Sequence, residues 1–579
     1  MSDDGEIRIR PGRMRSTRAQ HARSFVAQVL AAARRAGGDV SRAAGQAGGR
    51  RPRFGRGQRA SIQANRLVSS RSRGAVIKAR VVRHTASSSP LATHLDYLRR
   101  DGVTRDGEKA RLFGPPEGEV DGRAFAGRCA DDRHHFRFVV SPDDAVEMSD
   151  LRSFTRDLVG QMERDLHSRL DWVAVDHWNT EHPHVHLIVR GVRDDGQDLV
   201  ISRDYIKEGM RDRARDFITQ ELGPRTDLDI RRTLERQVKA ERWTQLDRQI
   251  GRDADRAGVI DLAPQRGLQP DAFHAFKLGR LRALEILGIA AQVGPSQWCV
   301  APQAEAVLRE LGERGDIIKR MHRGLTERGI ERAASSYVLA GESLGQPIIG
   351  RLVERGLNDE LRGTSYAVVD GVDGRVHHIR FPHLNATGDA APGAIVELRM
   401  FEDGRGEHRL ALAVRSDFDL PAQVTAVGAT WLDRQAVGHV VASLSTAGFG
   451  AEVRQALHER ADHLIGQGLA TRQAGRVVLA RNLIETLRRR DLDQTAARLT
   501  SETGLTFNGT EPGKFVGGTY RQRVALASGR FAMLDNGLGF QLVPWSPSLE
   551  KQLGRHVSGV ARGDGGVDWS FNRKRGLGL

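Results

Sequence analysis

The stretch His177-Trp-Asn-Thr-Glu-His-Pro-His-Val-His186 constrains this chain more than any other. Asp171-Trp-Val-Ala-Val-Asp176 before it and Val185 to Val189 after it are apolar runs of strand character, and Pro183 falls where a turn would sit. Side chains at i and i+2 of a strand share a face. His184 and His186 therefore point into one place, and His177 on the neighbouring strand completes a triad if the register brings it opposite. Neutral imidazole is the commonest protein metal ligand. Three of them leave coordination positions open, as a catalytic ion requires and a structural ion does not. A lone histidine is usually a satisfied core residue or surface decoration. The full H-x-N-x-x-x-P-H-x-H pattern is much more specific.

The net charge of +16 and the sequence pI of about 10.5 point to an anionic partner, most often nucleic acid. Cys129 and Cys299 are the only cysteines, which excludes a disulfide framework or a zinc pattern built on cysteine. No apolar run reaches the ~18 residues of a membrane span. Val26 to Ala33 is short, flanked by arginines and lacks a convincing cleavage pattern. A soluble, cytoplasmic protein is the expectation. No internal repeat is visible.

In chain order, residues 1–74 read as a disordered basic arm. From Val40 to Leu95 there are twelve Lys or Arg and no acid, a pattern suited to lying along phosphates. Residues 75–225 alternate strand, helix, strand, helix, strand, strand, helix, with Arg105 to Arg128 loop-like. The expectation is an α+β fold, an antiparallel sheet flanked by helices. Residues 226–260 read as a charged helical spacer, and 261–345 as a helical, winged-helix-like DNA-binding domain. A small β-barrel-like domain follows over 346–420, then a mixed helical and β accessory domain over 421–550. Residues 551–579 read as a basic tail, with Trp569 and Phe571 interleaved among the charges.

A three-histidine ion beside a nucleophile and many arginines fits phosphoryl transfer on nucleic acid. Tyrosine suits the nucleophile's part, because its phosphodiester preserves the bond energy and the step reverses. Tyr97, one of five tyrosines, lies in the helix-like run His94-Leu-Asp-Tyr-Leu-Arg-Arg-Asp-Gly102. A base must take the phenol proton from a group with an ordinary pKa near 10. Asp176, Asp96, His94 and His135 are the candidates. Arg80, Arg83, Arg99, Arg100, Arg137 and Arg190 are the candidate DNA contacts.

The histidine pattern and the upstream H-L-D-Y-L-R-R-D-G resemble the relaxases, or mobilisation nucleases, and more narrowly the group of Vir-type border endonucleases of T-DNA transfer. The resemblance covers roughly residues 75–235. It implies that Tyr97 nicks one strand at an origin of transfer and stays on the 5′ phosphate. It further implies that His177, His184 and His186 hold a divalent ion, Mg²⁺ or Mn²⁺ by family expectation, though imidazoles also suit other transition metals. Implied partners are single-stranded DNA at the nick, the supercoiled duplex origin, relaxosome accessory proteins and a type IV coupling protein. The enzyme of such a family travels with the strand to the recipient cell. Family members commonly carry Asp where this chain has Asn179, an amide that can orient an imidazole but cannot act as a base. Tyr205, after the histidine pattern, is a weaker rival nucleophile. The alternatives are a rolling-circle replication initiator, a non-catalytic DNA-binding protein, and a metal-dependent hydrolase without covalent intermediate.

Overall fold

The computed structural model describes residues 71–570, apart from 85–90, 100–102, 107, 116–117, 179–181, 255–257, 264–272, 340–347, 360, 403–407, 439–443, 474 and 564–565. Most of the basic arm, Arg100, Asn179 and Phe571 lie outside the described residues. The chain divides into two compact units, Met1–Gly312 and Glu313–Leu579. Among the described residues no helix is long and apolar enough to cross a membrane.

The first unit opens with a four-stranded antiparallel sheet of β1 (Ala75–Arg83), β2 (His134–Pro142), β3 (Trp172–His177) and β4 (His184–Arg190), in the order β1-β2-β4-β3. Alternation gives it two different faces. One carries Phe136, Phe138, Leu187, Val189 and Trp172. It is sealed by α3 (Leu151–Leu166) and α4 (Met210–Leu222), which contribute Leu158, Met162 and Ile218. The other face carries Val173, Val175 and Ile188 under α1 (Leu91–Leu98) and α2 (Gly122–Arg128). In α1 the buried residues Leu91, His94, Leu95 and Leu98 fall at i, i+3, i+4 and i+7, the stripe of a helix with one dry side. The α2 segment lies in a stretch expected to be loop. Asp121 caps it, and Phe125 drives it into the core with no solvent exposure.

The expected charged spacer is two helices, α5 (Asp227–Val238) and α6 (Gln245–Asp253). Thr226 with Asp229 and Thr244 with Asp247 form a capping box at the start of each, which breaks the continuous helix the charge pattern suggests. Strand β5 (Val259–Asp261), α7 (His274–Ile286) and the hairpin β6 (Ala290–Gly294) and β7 (Gln297–Val300) complete this helical part. Helix α8 (Ala304–Thr326) follows.

The second unit holds a sheet in the order β13-β12-β9-β10-β11-β8. Its strands are β8 (Tyr337–Val338), β9 (Ile349–Asp359), β10 (Thr364–Gly371), β11 (Val376–Phe381), β12 (Ile395–Glu402) and β13 (His408–Ser416). Three helices come next, α9 (Leu420–Thr425), α10 (Trp431–Val437) and α11 (Gly448–Gly466). Hairpin β14 (Ala470–Gln473) and β15 (Arg476–Leu479) and helix α12 (Leu483–Thr503) then lead into a last sheet. That sheet contains β16 (Phe515–Leu526), β17 (Gly529–Asp535), β18 (Phe540–Pro544), β19 (His556–Ala561) and β20 (Val567–Ser570). No pairing among the described residues closes the sheet of β8 to β13 into the expected barrel. Strands β19 and β20 occupy what was expected to be tail, and Trp569 packs against their core.

The structure contains a repeat that the sequence hides. The sheet order β13-β12-β9-β10-β11 recurs as β20-β19-β16-β17-β18. Near the start of their central strands, Gly350 and Gly518 have no room for a side chain, since a Cβ would stand 2.2 and 2.6 Å from the carbonyl oxygens of Asp370 and Asp535. The helical parts agree atom for atom. Arg280 of α7 donates through Nε to Asp247 Oδ1 (2.8 Å), through Nη1 to the Val238 and Ala240 carbonyls, and through Nη2 to the Arg242 carbonyl and Asp247 Oδ2. Arg460 of α11 does the same to Asp433 Oδ1 (2.9 Å), Val424, Ala426, Gly428 and Asp433 Oδ2. Gln237 and Gln423 each accept from the next helix, at Leu246 and Leu432. All five donors of a buried guanidinium are thus used in both copies, which leaves none of them desolvated without a partner.

Removing one partner of such a pair leaves an uncompensated buried charge, which costs about 3–5 kcal/mol. Arg280→Ala and Arg460→Ala should each destabilise their own copy by that order, read as a lowered urea midpoint. Loss confined to one of the two variants would show that the two clamps are not equivalent.

Candidate metal centre

The register brings His177 directly opposite His184, and Val175 opposite His186. Cross-strand partners share a face, so all three imidazoles project to the side covered by α1 and α2. They are buried at 0%, 8% and 3% exposure, and their ligand atoms lie within 4.8 Å of one another. His184 Nε2 and His186 Nε2 stand 3.2 Å apart. Two nitrogens bound at about 2.0–2.1 Å to one ion lie roughly 2.8–3.4 Å apart at octahedral to tetrahedral angles. The donor set therefore fits a metal ion.

Backbone carbonyls set two of the tautomers. His177 Nε2 lies 2.8 Å from the Leu98 carbonyl, and His184 Nδ1 lies 3.0 Å from the His182 carbonyl. A carbonyl only accepts, so these nitrogens carry the protons, and the ring lone pairs reside on His177 Nδ1 and His184 Nε2. Such outer contacts orient metal-binding imidazoles. The Leu98 contact also brings the last turn of α1 against the triad. Tyr97, the preceding residue, is half-buried and packs on the core of the same face.

The other candidates are dispersed. Asp176 alternates to the opposite face, where it accepts from Arg152 Nε (2.9 Å) and Trp178 Nε1 (2.8 Å). His135 pairs with Arg190, six residues along β4 from His184, or about 20 Å at strand rise. Asp96 is exposed on α1, and His94 is buried one turn before Tyr97. Tyr205 belongs to the core beyond the sheet, where its hydroxyl donates to Asp165 Oδ2 (3.1 Å). Burial and that carboxylate push its phenol far above its ordinary pKa.

The arginines separate by partner. Arg190 binds Asp132 through two bonds of 2.8 and 3.0 Å, and Arg99 binds Glu119 at 3.1 Å. Arg83 is exposed at the end of β1 and alternates away from Arg80. Arg80 pairs with Arg137 on the triad face. Arg137 is buried and donates its Nε to His135 Nε2 (3.0 Å), and no carboxylate neutralises it among the described residues. Burial, with Arg80 beside it, pulls its pKa down to about 10. A buried guanidinium without a carboxylate is suited to receive a phosphate. Sequence reading missed His84, whose Nε2 lies 2.6 Å from His135 Nδ1. Its nearness in sequence to Arg83 carries no sign of that contact.

Residues 121–223 match the family model described as the nuclease domain of MobA/VirD2-like relaxases. This places the nuclease part in the relaxase, or mobilisation nuclease, family and supports DNA endonuclease activity of the nicking kind. The match begins downstream of α1 and Tyr97. Residues 277–405 and 398–578 match the model described as a protein of unknown function (DUF3363). These segments cover more than half of the chain, and it belongs to that family. No curated protein and no solved structure matches the chain.

Two measurements follow from this geometry. Isothermal titration with Mn²⁺ or Zn²⁺ should give one saturable site that His184→Ala and His186→Ala abolish and His135→Gln retains. The second concerns acid stability. Burial, then Arg137 and the neighbouring histidines, holds the His135 pKa down at about 3. In the unfolded chain it is about 6.5. Below that value the unfolded state takes up a proton that the fold refuses, so stability present above pH ~6.5 falls as pH drops towards 3. The Tm should therefore fall less from pH 7 to pH 4 in His135→Gln than in the parent.

Proposed function

We propose that the chain is a conjugative relaxase, which nicks one DNA strand at an origin of transfer and remains on its 5′ end through Tyr97. The observation that carries this reading is the 2.8 Å hydrogen bond between His177 and the Leu98 carbonyl. It joins the metal-binding face to the helical turn that bears the tyrosine, two segments 79 residues apart in sequence.

The Tyr97 phenol oxygen attacks the scissile phosphorus, the bond to the 3′ oxygen breaks, and a 5′-phosphotyrosyl ester forms. The phenol proton passes to a base, and the departing 3′ oxygen takes up a proton. His94 is assigned as that base. It lies at i−3 from Tyr97, so the two side chains neighbour one another on one side of α1. Asp96 projects elsewhere, and the placements of Asp176 and His135 argue against either. Arg137 and Arg80, paired across β1 and β2, hold the strand by its phosphates. Rejoining is the reverse of the same step, with the 3′ hydroxyl as nucleophile.

His177, His184 and His186 would hold a divalent ion. When bound, that ion supplies Lewis-acid charge neutralisation at a non-bridging oxygen of the scissile phosphate. Three nitrogen donors favour a first-row transition ion over Mg²⁺, which prefers oxygen. The chain's residues set the ring orientations in advance. Asn179, the accessory helices in their winged-helix-like reading and the relaxosome and coupling partners belong to this same proposal.

The test uses supercoiled DNA bearing the cognate origin. The parent should leave, after denaturation, a nick with protein fixed to the 5′ end. Tyr97→Phe should lose both nick and adduct, and His184→Ala should lower the nicking rate at least 100-fold. A nick without adduct in the parent would sink the transesterification.

A further inference from the structure

The two copies of the repeat differ in charge, and one such difference falls at the start of α8 and α12. Matching backbone bonds align them. Ile289, Ala301 and Ala304 donate to Leu284, Ile289 and Ala301, as Leu469, Ala480 and Leu483 donate to Leu464, Leu469 and Ala480. Ala304 thus corresponds to Leu483, Arg309 to Arg488, Glu305 to Ile484, Glu310 to Arg489 and Pro302 to Arg481. In the first copy Arg309 is neutralised by Glu305 at 2.6 Å. In the second that acid has become Ile484, and Arg488 makes no ion pair among the described residues. Arg481 makes none either.

Both arginines line a cleft of about 1320 Å³ inside the second unit, between hairpin β14–β15, the start of α12 and strand β18. Val477 and Val478 of the hairpin are 38% and 45% exposed along it. Phe507, half-buried against Phe540, and Leu542 line the other side. Four acids reach the cleft, and three are already occupied: Asp433 by Arg460, Glu485 near Arg489 at 4.0 Å, and Glu511 by Lys514 at 2.6 Å. Asp493 is the fourth. Arg434 nearby has its pKa lowered, first by burial and then by Arg488, with Asp433 opposing the fall and Arg415 adding to it.

We propose that this cleft binds single-stranded DNA, an inference that rests on the reading of the chain as a DNA-acting protein. Cations without carboxylates take the phosphates, and the apolar walls take the faces of bases, the combination by which proteins hold single strands without sequence preference. The volume exceeds the 300–1,000 Å³ typical of small-molecule sites, which favours a polymer. The first copy, with its neutralised arginine and proline, lacks this anion site. The second copy has therefore diverged from a shared scaffold into a strand holder.

The test measures affinity of the full chain for a fluorescent oligothymidine and for a duplex of equal length. Arg481→Gln with Arg488→Gln should weaken oligothymidine binding about ten-fold and spare the duplex. The slope of log K against log salt should fall by about 1.4, as expected for two phosphates on a single strand. Arg309→Gln in the first copy should change neither. A bromouracil-substituted strand should crosslink to the peptide holding Phe507. Unchanged oligothymidine binding, equal loss on duplex, or a crosslink confined to the nuclease part would each overturn the proposal. These readouts need no cleavage. A failure to find the Tyr97 adduct would sink the nuclease mechanism and leave this result standing, and the reverse also holds.

Discussion

One hydrogen bond, between the His177 ring and the Leu98 carbonyl, links the histidine hairpin to the helix above it. It sets the orientation of an imidazole with a carbonyl from the last turn of a helix. The carbonyl belongs to the last turn of α1, where helices leave oxygens unsatisfied. Using one of them to position a ring costs the helix nothing. The local chemistry of a helix end thus meets the triad, and the half-buried Tyr97 packs on the apolar core of the same face.

Around that link the sheet separates two tasks by alternation alone. Its apolar face, from Trp172 to Val189, packs against α3 and α4 and supplies the burial that stabilises the domain. The opposite face is apolar at Val173, Val175 and Ile188 under α1 and α2, and basic where Arg80 pairs with Arg137. Asp176 and His177 are neighbours in sequence and lie on different faces, the carboxylate tied to Arg152 and the imidazole turned to the triad. Placing the acid of that pair outside the site leaves the face of the histidines and arginines free of its negative charge.

The repeat shows how a polar clamp outlasts sequence similarity. Arg280 with Asp247 and Arg460 with Asp433 sit in the same cages of carbonyls, and the residues around them have changed freely. A guanidinium needs all its donors satisfied when buried, so the clamp tolerates no substitution that the surface would tolerate. Exposed positions carry no such constraint. There the copies diverge, and there their charges differ.

Much of the site was legible in the sequence. The triad could be read from the i, i+2 spacing of His184 and His186 and from the hairpin around Pro183, because strand alternation is local. Asp176 was a candidate base in the sequence, and strand alternation in the fold turns it to the face opposite His177. The helix over Gly122–Arg128 was harder to see, since seven residues carry too little periodicity and its buried Phe125 matters only once a core exists. The repeat was invisible for a related reason: two arginines and two aspartates among 162 charged residues form no pattern until the fold brings them together. The sequence by itself determined the three histidines, the hairpin and the two faces of the strands, all set by neighbours a few residues apart. Only the tertiary structure decided that Leu98 would reach His177, that His135 would stand at the far end of the sheet, and that Arg280 and Arg460 would close matching cages. Those outcomes depend on strand order and helix packing, which bring together residues tens of positions apart and leave no mark on local spacing.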